Sequence, residues 1–488
     1  MMMTLTEMLC SIYPQISSDR LYGSLELDSR KVQPGGVFLA LKGHHADGWS
    51  YVDSAVESGA KLILTDSQDC QDVLGVPVIY DKALKSRLGQ LAGACFGWPT
   101  KHIDIIGVTG TNGKTSVCLF VAQMLTQMGY PCGYIGTNGC GLIGDITPLS
   151  NTTPDIIELN RILATMRENG AEYCAMEVSS HGLEQDRVAG LEFACTAFTN
   201  LSRDHLDYHK SMEDYANSKQ KLFLDYFSKT SVINVDDILG QDLIRKMANK
   251  PGIYSCSTKN NSADIRGANI HYSTSGLSFE LHTPWGSNEV AVPLFGAFNV
   301  ENLLLAIGSI VSLGIEFKSV CNQLHDLRPV IGRMEFIDNP VNKAIAVDYA
   351  HTPDALEKAL IAIRAHCTGN VWVVFGCGGD RDKGKRPLMA SIAEAYGDYV
   401  VVTDDNPRTE NSEDIMADIA VGFTEPEADH IFYKPNRLDA ISWAISQSHE
   451  GDAILIAGKG HEEYQIVGDQ ILDFSDQATV RQIVGAAT

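Results

Sequence analysis

Lys114 and Thr115 stand directly behind a glycine-rich stretch, Thr109-Gly110-Thr111-Asn112-Gly113, which itself follows the apolar run Ile103–Val108. A strand, a tight loop and a helix opening on Lys-Thr make a nucleotide-phosphate site. Loop N–H groups and the helix N-terminus supply positive potential, the lysine reaches the outer phosphates, and the threonine hydroxyl can ligate Mg²⁺. The stricter phosphate-loop pattern asks for glycine where this chain has Val108. Gly110, Thr111, Asn112, Gly113, Lys114 and Thr115 are the candidate nucleotide-phosphate-binding residues.

Other chemistry-bearing groups close further apolar runs. Glu177 ends Tyr173–Glu177, and a carboxylate at a neighbouring strand end commonly holds Mg²⁺ beside the loop hydroxyl. The alternative is a solvated strand-end glutamate. Asn200–Asp207, with His205, follows another run and offers either a second metal or phosphate edge or ordinary surface polarity. Lys219, by residue chemistry alone, reads as a helix-surface lysine. Arg333, in Gly332-Arg333-Met334-Glu335, carries a planar, always-charged fork suited to phosphate or to an interdomain salt bridge. Gly379–Arg386 alternates acids and bases, and Asp405-Asn406-Pro407-Arg408 sets a carboxylate, an amide and a guanidinium around a rigid proline. A substrate bearing both ammonium and carboxylate groups matches that set; one such loop alone would read as solvated charge.

The elements that must position these groups are those of an α/β protein. Residues 1–86 mix short apolar stretches with turns and read as a small α/β module. Residues 87–330 carry strand candidates at Tyr173–Val178, Ala194–Thr199 and Ser231–Asn234, as in a central P-loop-type ATPase domain with a mainly parallel sheet. Within it, 252–295 alternates and reads as an antiparallel addition. Residues 331–488 repeat strand–loop–helix units, with strands at Ala344–Val347, Val371–Phe375, Tyr399–Thr403 and Ala453–Ile456, a Rossmann-like pattern. Thr352-Pro353 reads as N-cap and first residue of a helix. The polar loops follow these strands directly, where open parallel sheets bind ligands.

Bulk properties narrow the function. The 488 residues imply two to four domains. With 38 basic and 61 acidic residues the net charge is −23, which argues against nucleic-acid binding and against anionic membranes. Twelve cysteines without a CxxC pair suggest neither a zinc cluster nor a disulfide framework, and fit a reducing cytoplasm. No apolar run approaches the roughly 20 residues that span a bilayer. A soluble cytoplasmic monomer acting on small molecules is expected.

Taken in order, TGTNGKT at 109–115, NTTP at 151–154, MEVSSHGL at 176–183, NLSRDHLDYH at 200–209, GRME at 332–335, DYAHTPDAL at 348–356, GCGGDRDKGKRP at 376–387, DNPR at 405–408 and GKGHE at 458–462 resemble the Mur ligases of peptidoglycan synthesis, ATP-dependent amide-bond-forming enzymes. The resemblance runs over nearly the whole chain. Folylpolyglutamate synthetases share the GTNGK loop but not DNPR or the amino-terminal LDSR…GHHADG pattern.

The resemblance implies a role for each matching position. Leu27, Ser29, His44, His45 and Ala46 would hold the uridine end of a nucleotide sugar, although His45 stands where some relatives have glutamine. Asn151, Thr152, Thr153, Ser179, Gln185 and Arg187 would bind its muramoyl-dipeptide. Asn299, Arg333 and Asp348 join the ATP site, and Glu177 and His205 match Mg²⁺ positions. Lys219 matches a lysine that the family converts with CO₂ to a carbamate, which needs the neutral amine and hence a lowered pKa. Arg381, Asp405, Asn406, Pro407, Arg408, Gly458 and Glu462 match a pocket for meso-2,6-diaminopimelate. The implied reaction adds that amino acid to the D-glutamate side chain of UDP-MurNAc-dipeptide. Rival readings are a lysine-adding relative, a folylpolyglutamate-type ligase and a phosphate-loop kinase.

Overall fold

Each strand that ends in a candidate residue is an almost uninterrupted buried apolar run, the pattern of parallel strands covered on both faces. The structure, a computed structural model, describes residues 3–43, 46–68, 72–273, 276–338, 343–365 and 367–486. Two compact units emerge: Met1–Gly107 with Gly129–Thr196 and Lys221–Lys229, and Val108–Met128 with Ala197–Gln220 and Thr230–Thr488.

The first unit opens with a parallel sheet in the order β1 (Leu25–Glu26), β2 (Val37–Ala40), β3 (Leu62–Thr65), β4 (Val78–Tyr80). Successive residues serve opposite faces. Val37, Leu39, Leu62 and Leu64 pack with Leu5, Leu9, Leu91 and Ala92, while Phe38, Ala40 and Ile63 pack with Val52 and Ala55. The helix Leu84–Cys95 thus shares this core.

A mixed sheet of eleven strands follows: β5 (Asp104–Thr109), β6 (Cys132–Gly136), β7 (Gly139–Leu142), β8 (Asp145–Thr147), β9 (Tyr173–Glu177), β10 (Phe193–Phe198), β11 (Ser228–Asn234), β12 (Ile253–Ser257), β13 (Ile265–Ser273), β14 (Gly276–Thr283) and β15 (Gly286–Val292). Its order is β15-β14-β13-β12-β11-β10-β5-β9-β6-β7-β8, and the unit boundaries pass through β5, β10 and β11. Of the antiparallel addition expected in 252–295, β13–β14–β15 is antiparallel, whereas β12 continues the parallel part of the sheet, pairing parallel with both β11 and β13. A second antiparallel edge, β6–β7–β8, was not anticipated, because its short Gly-rich strands carry little apolar alternation.

The carboxyl-terminal half of the second unit is doubly wound. Strands β16 (Glu335–Phe336), β17 (Ala344–Asp348), β18 (Val371–Phe375), β19 (Tyr399–Val402), β20 (Ile431–Tyr433) and β21 (Ala453–Ala457) form a sheet in the order β16-β17-β21-β18-β19-β20. All neighbours are parallel except β16–β17. Ala346, Val373, Phe375 and Val400 meet Leu356, Leu360 and Met389 on one face; Ile345, Val374 and Ile454 meet Ile441, Ala444 and Val480 on the other. Thr352 caps the helix Pro353–Arg364 by accepting from Ala355 N–H at 3.3 Å. A hairpin, β22 (Tyr464–Val467) and β23 (Gln470–Asp473), completes the strands. The loops after β17, β18, β19 and β21 leave the carboxyl ends of adjacent parallel strands, which is where such sheets bind ligands.

Candidate active site

The glycine-rich loop is shaped by what stands behind it. Gly110 and Gly113 have φ of +150° and +85°, and a Cβ at either would overlap Thr199 Oγ1 or Asn302 Oδ1 respectively. The segment after β10 frames the loop. Asn112 N–H donates to Asn200 Oδ1 at 3.0 Å, Thr199 Oγ1 donates to Asn112 O at 2.6 Å, and Thr111 N–H donates to Asn200 O at 2.8 Å. Lys114 Nζ turns back to Gly110 O (2.9 Å) and Thr111 O (2.8 Å), so its ammonium stays over the loop.

Lys219 does not lie on a surface. It is 1% exposed, donates to the same Gly110 carbonyl at 2.7 Å, and sits 4.3 Å from the centre of the Tyr215 ring. Burial, and then the neighbouring charge of Lys114, push its pKa well below the ordinary lysine value, against the opposing pull of Asp204. Asp204 is buried, which raises its carboxyl pKa. Its hydrogen bond with His351 and the charges of His205, His351 and Lys385 outweigh that and hold it well below the usual range. His205 Nε2 is 3.3 Å from Asp204 Oδ2, and His205 itself adopts a left-handed φ of +53°.

Groups from the carboxyl-terminal part of the second unit reach this loop. Arg333 Nη2 donates to Thr115 Oγ1 at 3.1 Å, its guanidinium lies 4.3 Å from the centre of the Tyr349 ring, and its Nε is buried without a hydrogen-bond partner. Asn112 Nδ2 donates to Asp354 Oδ2 at 2.9 Å, and Arg203 pairs with Asp382 through two bonds of 3.1 and 3.2 Å. Asp348 is buried and accepts from Met334 N–H at 2.6 Å; burial raises its pKa, and Arg333 opposes that. Asn299 is spent on Phe295 O and on Asn302, and it is Asn302 that abuts Gly113.

In the first unit a polar cluster surrounds the end of β9. Glu177 is buried and accepts from Tyr134 Oη (2.7 Å), Thr137 N–H (2.9 Å) and Thr137 Oγ1 (3.1 Å). Thr152 Oγ1 lies 3.2 Å from Thr137 Oγ1, and Thr153 Oγ1 bridges Glu177 O and Ser179 N–H at 2.9 and 3.0 Å. Arg187 grips Gln185 Oε1 with two donors and Thr153 O with a third at 2.6 Å. Ser179 caps the short helix Ser180–Glu184. Asn151 is exposed beside this group. Of the positions matched to the uridine end, Ser29 is buried in the turn Ser29–Lys31, Leu27 is half-buried and Ala46 exposed; His44 and His45 lie outside the described residues.

The loops after β18, β19 and β21 converge on Asp405–Arg408. Arg408 has a left-handed φ of +52°, and Nη1 donates to Gly379 O at 2.9 Å; a Cβ on Gly378 would stand 2.8 Å from that same nitrogen. Asp405 is buried, and its Oδ1 has no hydrogen-bond partner. Asn406 Nδ2 donates to Glu462 Oε2 at 2.9 Å. Pro407 O packs so tightly against Gly379 that no side chain fits there, Gly458 turns with φ +119° near Asp405, and Arg381 is exposed. Sequence reasoning flagged Asp204 only as part of Asn200–Asp207, and missed His351, Asn302 and Lys459. The last is a fully buried lysine that its glycine-flanked motif could have flagged.

A glycine-rich loop between a strand and a Lys-Thr helix start belongs to the phosphate-loop class, and the chain belongs to the Mur ligase family of ATP-dependent amide-bond-forming enzymes. The catalytic-domain family matches residues 22–95, the middle domain 108–310 and the glutamate ligase domain 332–460. The chain is 43% identical over 467 residues to UDP-N-acetylmuramoyl-L-alanyl-D-glutamate–2,6-diaminopimelate ligase of Vibrio cholerae serotype O1, covering 94% of this chain and 93% of the relative. The ligase of the same name from Haemophilus influenzae strain PittEE is 44% identical, covering 95% and 96%. A solved structure of a protein bearing that name superposes with a TM-score of 0.71 at 34% identity, covering 98% and 99%.

Proposed function

We propose that this chain is the ATP-dependent ligase that joins meso-2,6-diaminopimelate to the D-glutamate side-chain carboxylate of UDP-N-acetylmuramoyl-L-alanyl-D-glutamate. Segments 1–86, 87–330 and 331–488 bind the uridine end, ATP and the amino acid in turn. The γ-phosphoryl group passes to the acceptor carboxylate, giving an acyl phosphate; the incoming amine attacks, and the tetrahedral intermediate expels phosphate. No enzyme nucleophile is required.

The first obstacle is electrostatic. A carboxylate and a phosphate oxygen about 4 Å apart repel by roughly 4 kcal/mol per charge pair at an effective dielectric near 20. Lys114 leaves the Gly110 and Thr111 carbonyls to meet the outer phosphates, and Arg333, already on Thr115, adds a second cation. Mg²⁺ would enter on the phosphates, with Thr115, His205 and a Lys219 carbamate in the second unit and Glu177 in the first as candidate hard donors. Mg²⁺ bound there would screen the phosphate charge. The buried, charge-crowded Lys219 amine favours the neutral form that reacts with CO₂.

The observation that carries the amino-acid reading is the Asp405–Arg408 turn, a buried carboxylate whose Oδ1 accepts no hydrogen bond, three positions from a guanidinium bonded only to backbone carbonyls among the described residues. The first suits an ammonium and the second the distal carboxylate that lysine lacks. Losing a charge-assisted partner costs about 1.5–3 kcal/mol, roughly tenfold to a hundredfold. Arg408→Ala should therefore weaken diaminopimelate use by that factor and leave the KM for ATP unaltered. Retention of the wild-type preference over lysine in steady-state assays would refute the assignment.

A further inference from the structure

Beneath the Asp405–Arg408 turn lies a cation that the reaction as described does not use. Lys459 is 0% exposed; its Nζ donates to Asn406 Oδ1 at 3.1 Å and Glu462 Oε2 at 3.0 Å, and lies 3.8 Å from Asp405 Oδ1. One ammonium thus stands between two carboxylates and an amide. The orientation of that amide is forced. Its Oδ1 receives both Lys459 Nζ and Ile466 N–H, the latter at 3.0 Å, and neither donor could face an NH₂. Asn406 thus has both acceptor bonds and one amide N–H engaged inside the protein, and these hold the turn.

The hairpin strand β22 completes the hold. Gln465 Nε2 donates to Asp405 O at 2.8 Å, Arg408 N–H donates to Ile466 O at 3.0 Å, and Gly468 N–H donates to Arg408 O at 2.7 Å. Arg408 keeps a left-handed backbone that a non-glycine residue adopts only when its surroundings over-determine it.

We propose that Lys459, acting through Asn406 and the β22 strand, is the positioning residue of the amino-acid pocket: it holds Asp405 and Glu462 together against their mutual repulsion and fixes the turn that aims Arg408. This rests on the reading of that turn as the diaminopimelate site. The ligand contacts left to the pocket are Asp405, Glu462 and Arg408.

Steady-state kinetics with each substrate varied in turn test this on Lys459→Met, Gln465→Ala and Arg408→Ala. The Met variant keeps side-chain length but no charge. It should raise the KM for meso-diaminopimelate at least about tenfold while the KM values for ATP and the UDP-muramoyl-dipeptide move less than about twofold. Gln465→Ala removes no buried charge and should give a smaller rise of the same kind, which keeps the test alive if the Met variant folds poorly. Combining Lys459→Met with Asn406→Ala should be no worse than the more damaging single change, since the two act as one unit. If Arg408→Ala has no effect on diaminopimelate use, the pocket reading itself falls. If Arg408→Ala acts but Lys459→Met and Gln465→Ala leave that KM unmoved, or shift all three KM values alike, Lys459 is no positioning residue.

Discussion

Two lysines on one carbonyl set the character of the nucleotide loop at the scale of single residues. Lys114 and Lys219 both donate to Gly110 O, and burial holds the pKa of Lys219 well below the ordinary lysine value. Incubation with ¹³C-bicarbonate should give a carbamate carbon signal that Lys219→Ala lacks, with activity of that variant lower by about a hundredfold or more. A wild-type protein without the signal, or a fully active Lys219→Ala, would exclude the carbamate. Gly113 stands against Asn302, so Gly113→Ala, with a Cβ at φ +85°, should raise the KM for ATP more than that for diaminopimelate. The placement of Lys114 at the loop was legible in the sequence; the burial of Lys219 followed from the family resemblance and, in the residues themselves, only from their period. Tyr215, Lys219, Leu222 and Phe223 fall at i, i+4, i+7 and i+8, and all four are buried on one stripe. Residue chemistry alone read Lys219 as exposed. The stripe is the better guide.

Loops, rather than strands or helices, separate what this sequence discloses from what it hides at the scale of elements. The strands that carry the site are apolar runs with polar ends, so Tyr173–Glu177 and Val371–Phe375 were readable with their ends. The helix Pro353–Arg364 was readable from its Thr-Pro start. The β6–β7–β8 edge was not, since Gly139–Thr147 lacks a face to bury. The charged loop after β18 was expected as a ligand-binding loop, yet much of its charge is internal. Arg386 is buried between Glu410 and Asp418, and Lys383 also pairs with Glu410. The hydrogen bond from Arg386 is the chief cause that lowers the Glu410 carboxyl from 4.5 to about 2. A depressed carboxyl contributes stability above its unfolded pKa and loses it as pH falls through the folded one. Wild type should therefore exceed Glu410→Gln in urea stability at neutral pH, and the gap should close between about pH 4.5 and pH 2. A gap constant over that range would mean that the pairing contributes nothing.

Charge is distributed against the average at the scale of the whole molecule. A net charge of −23 surrounds a loop where Lys114, Lys219 and Arg333 gather, which concentrates attraction for phosphate where it is needed. Three sheets of four, eleven and six strands carry the three sets of candidate residues, and their succession followed from composition and strand endings. The long-range pairs did not. Asn112 with Asp354 and Arg203 with Asp382 join positions far apart in the chain, and no local pattern encodes them. In the proposed reaction, phosphate release is tied to making an amide bond with one particular diamino acid. Product mass analysis with meso-diaminopimelate, lysine and ornithine run in parallel tests it most directly. Phosphate should be released only when ATP, UDP-MurNAc-dipeptide and diaminopimelate are all present, with the product heavier by one diaminopimelate residue. Release without the dipeptide acceptor, or equal incorporation of lysine, would contradict it.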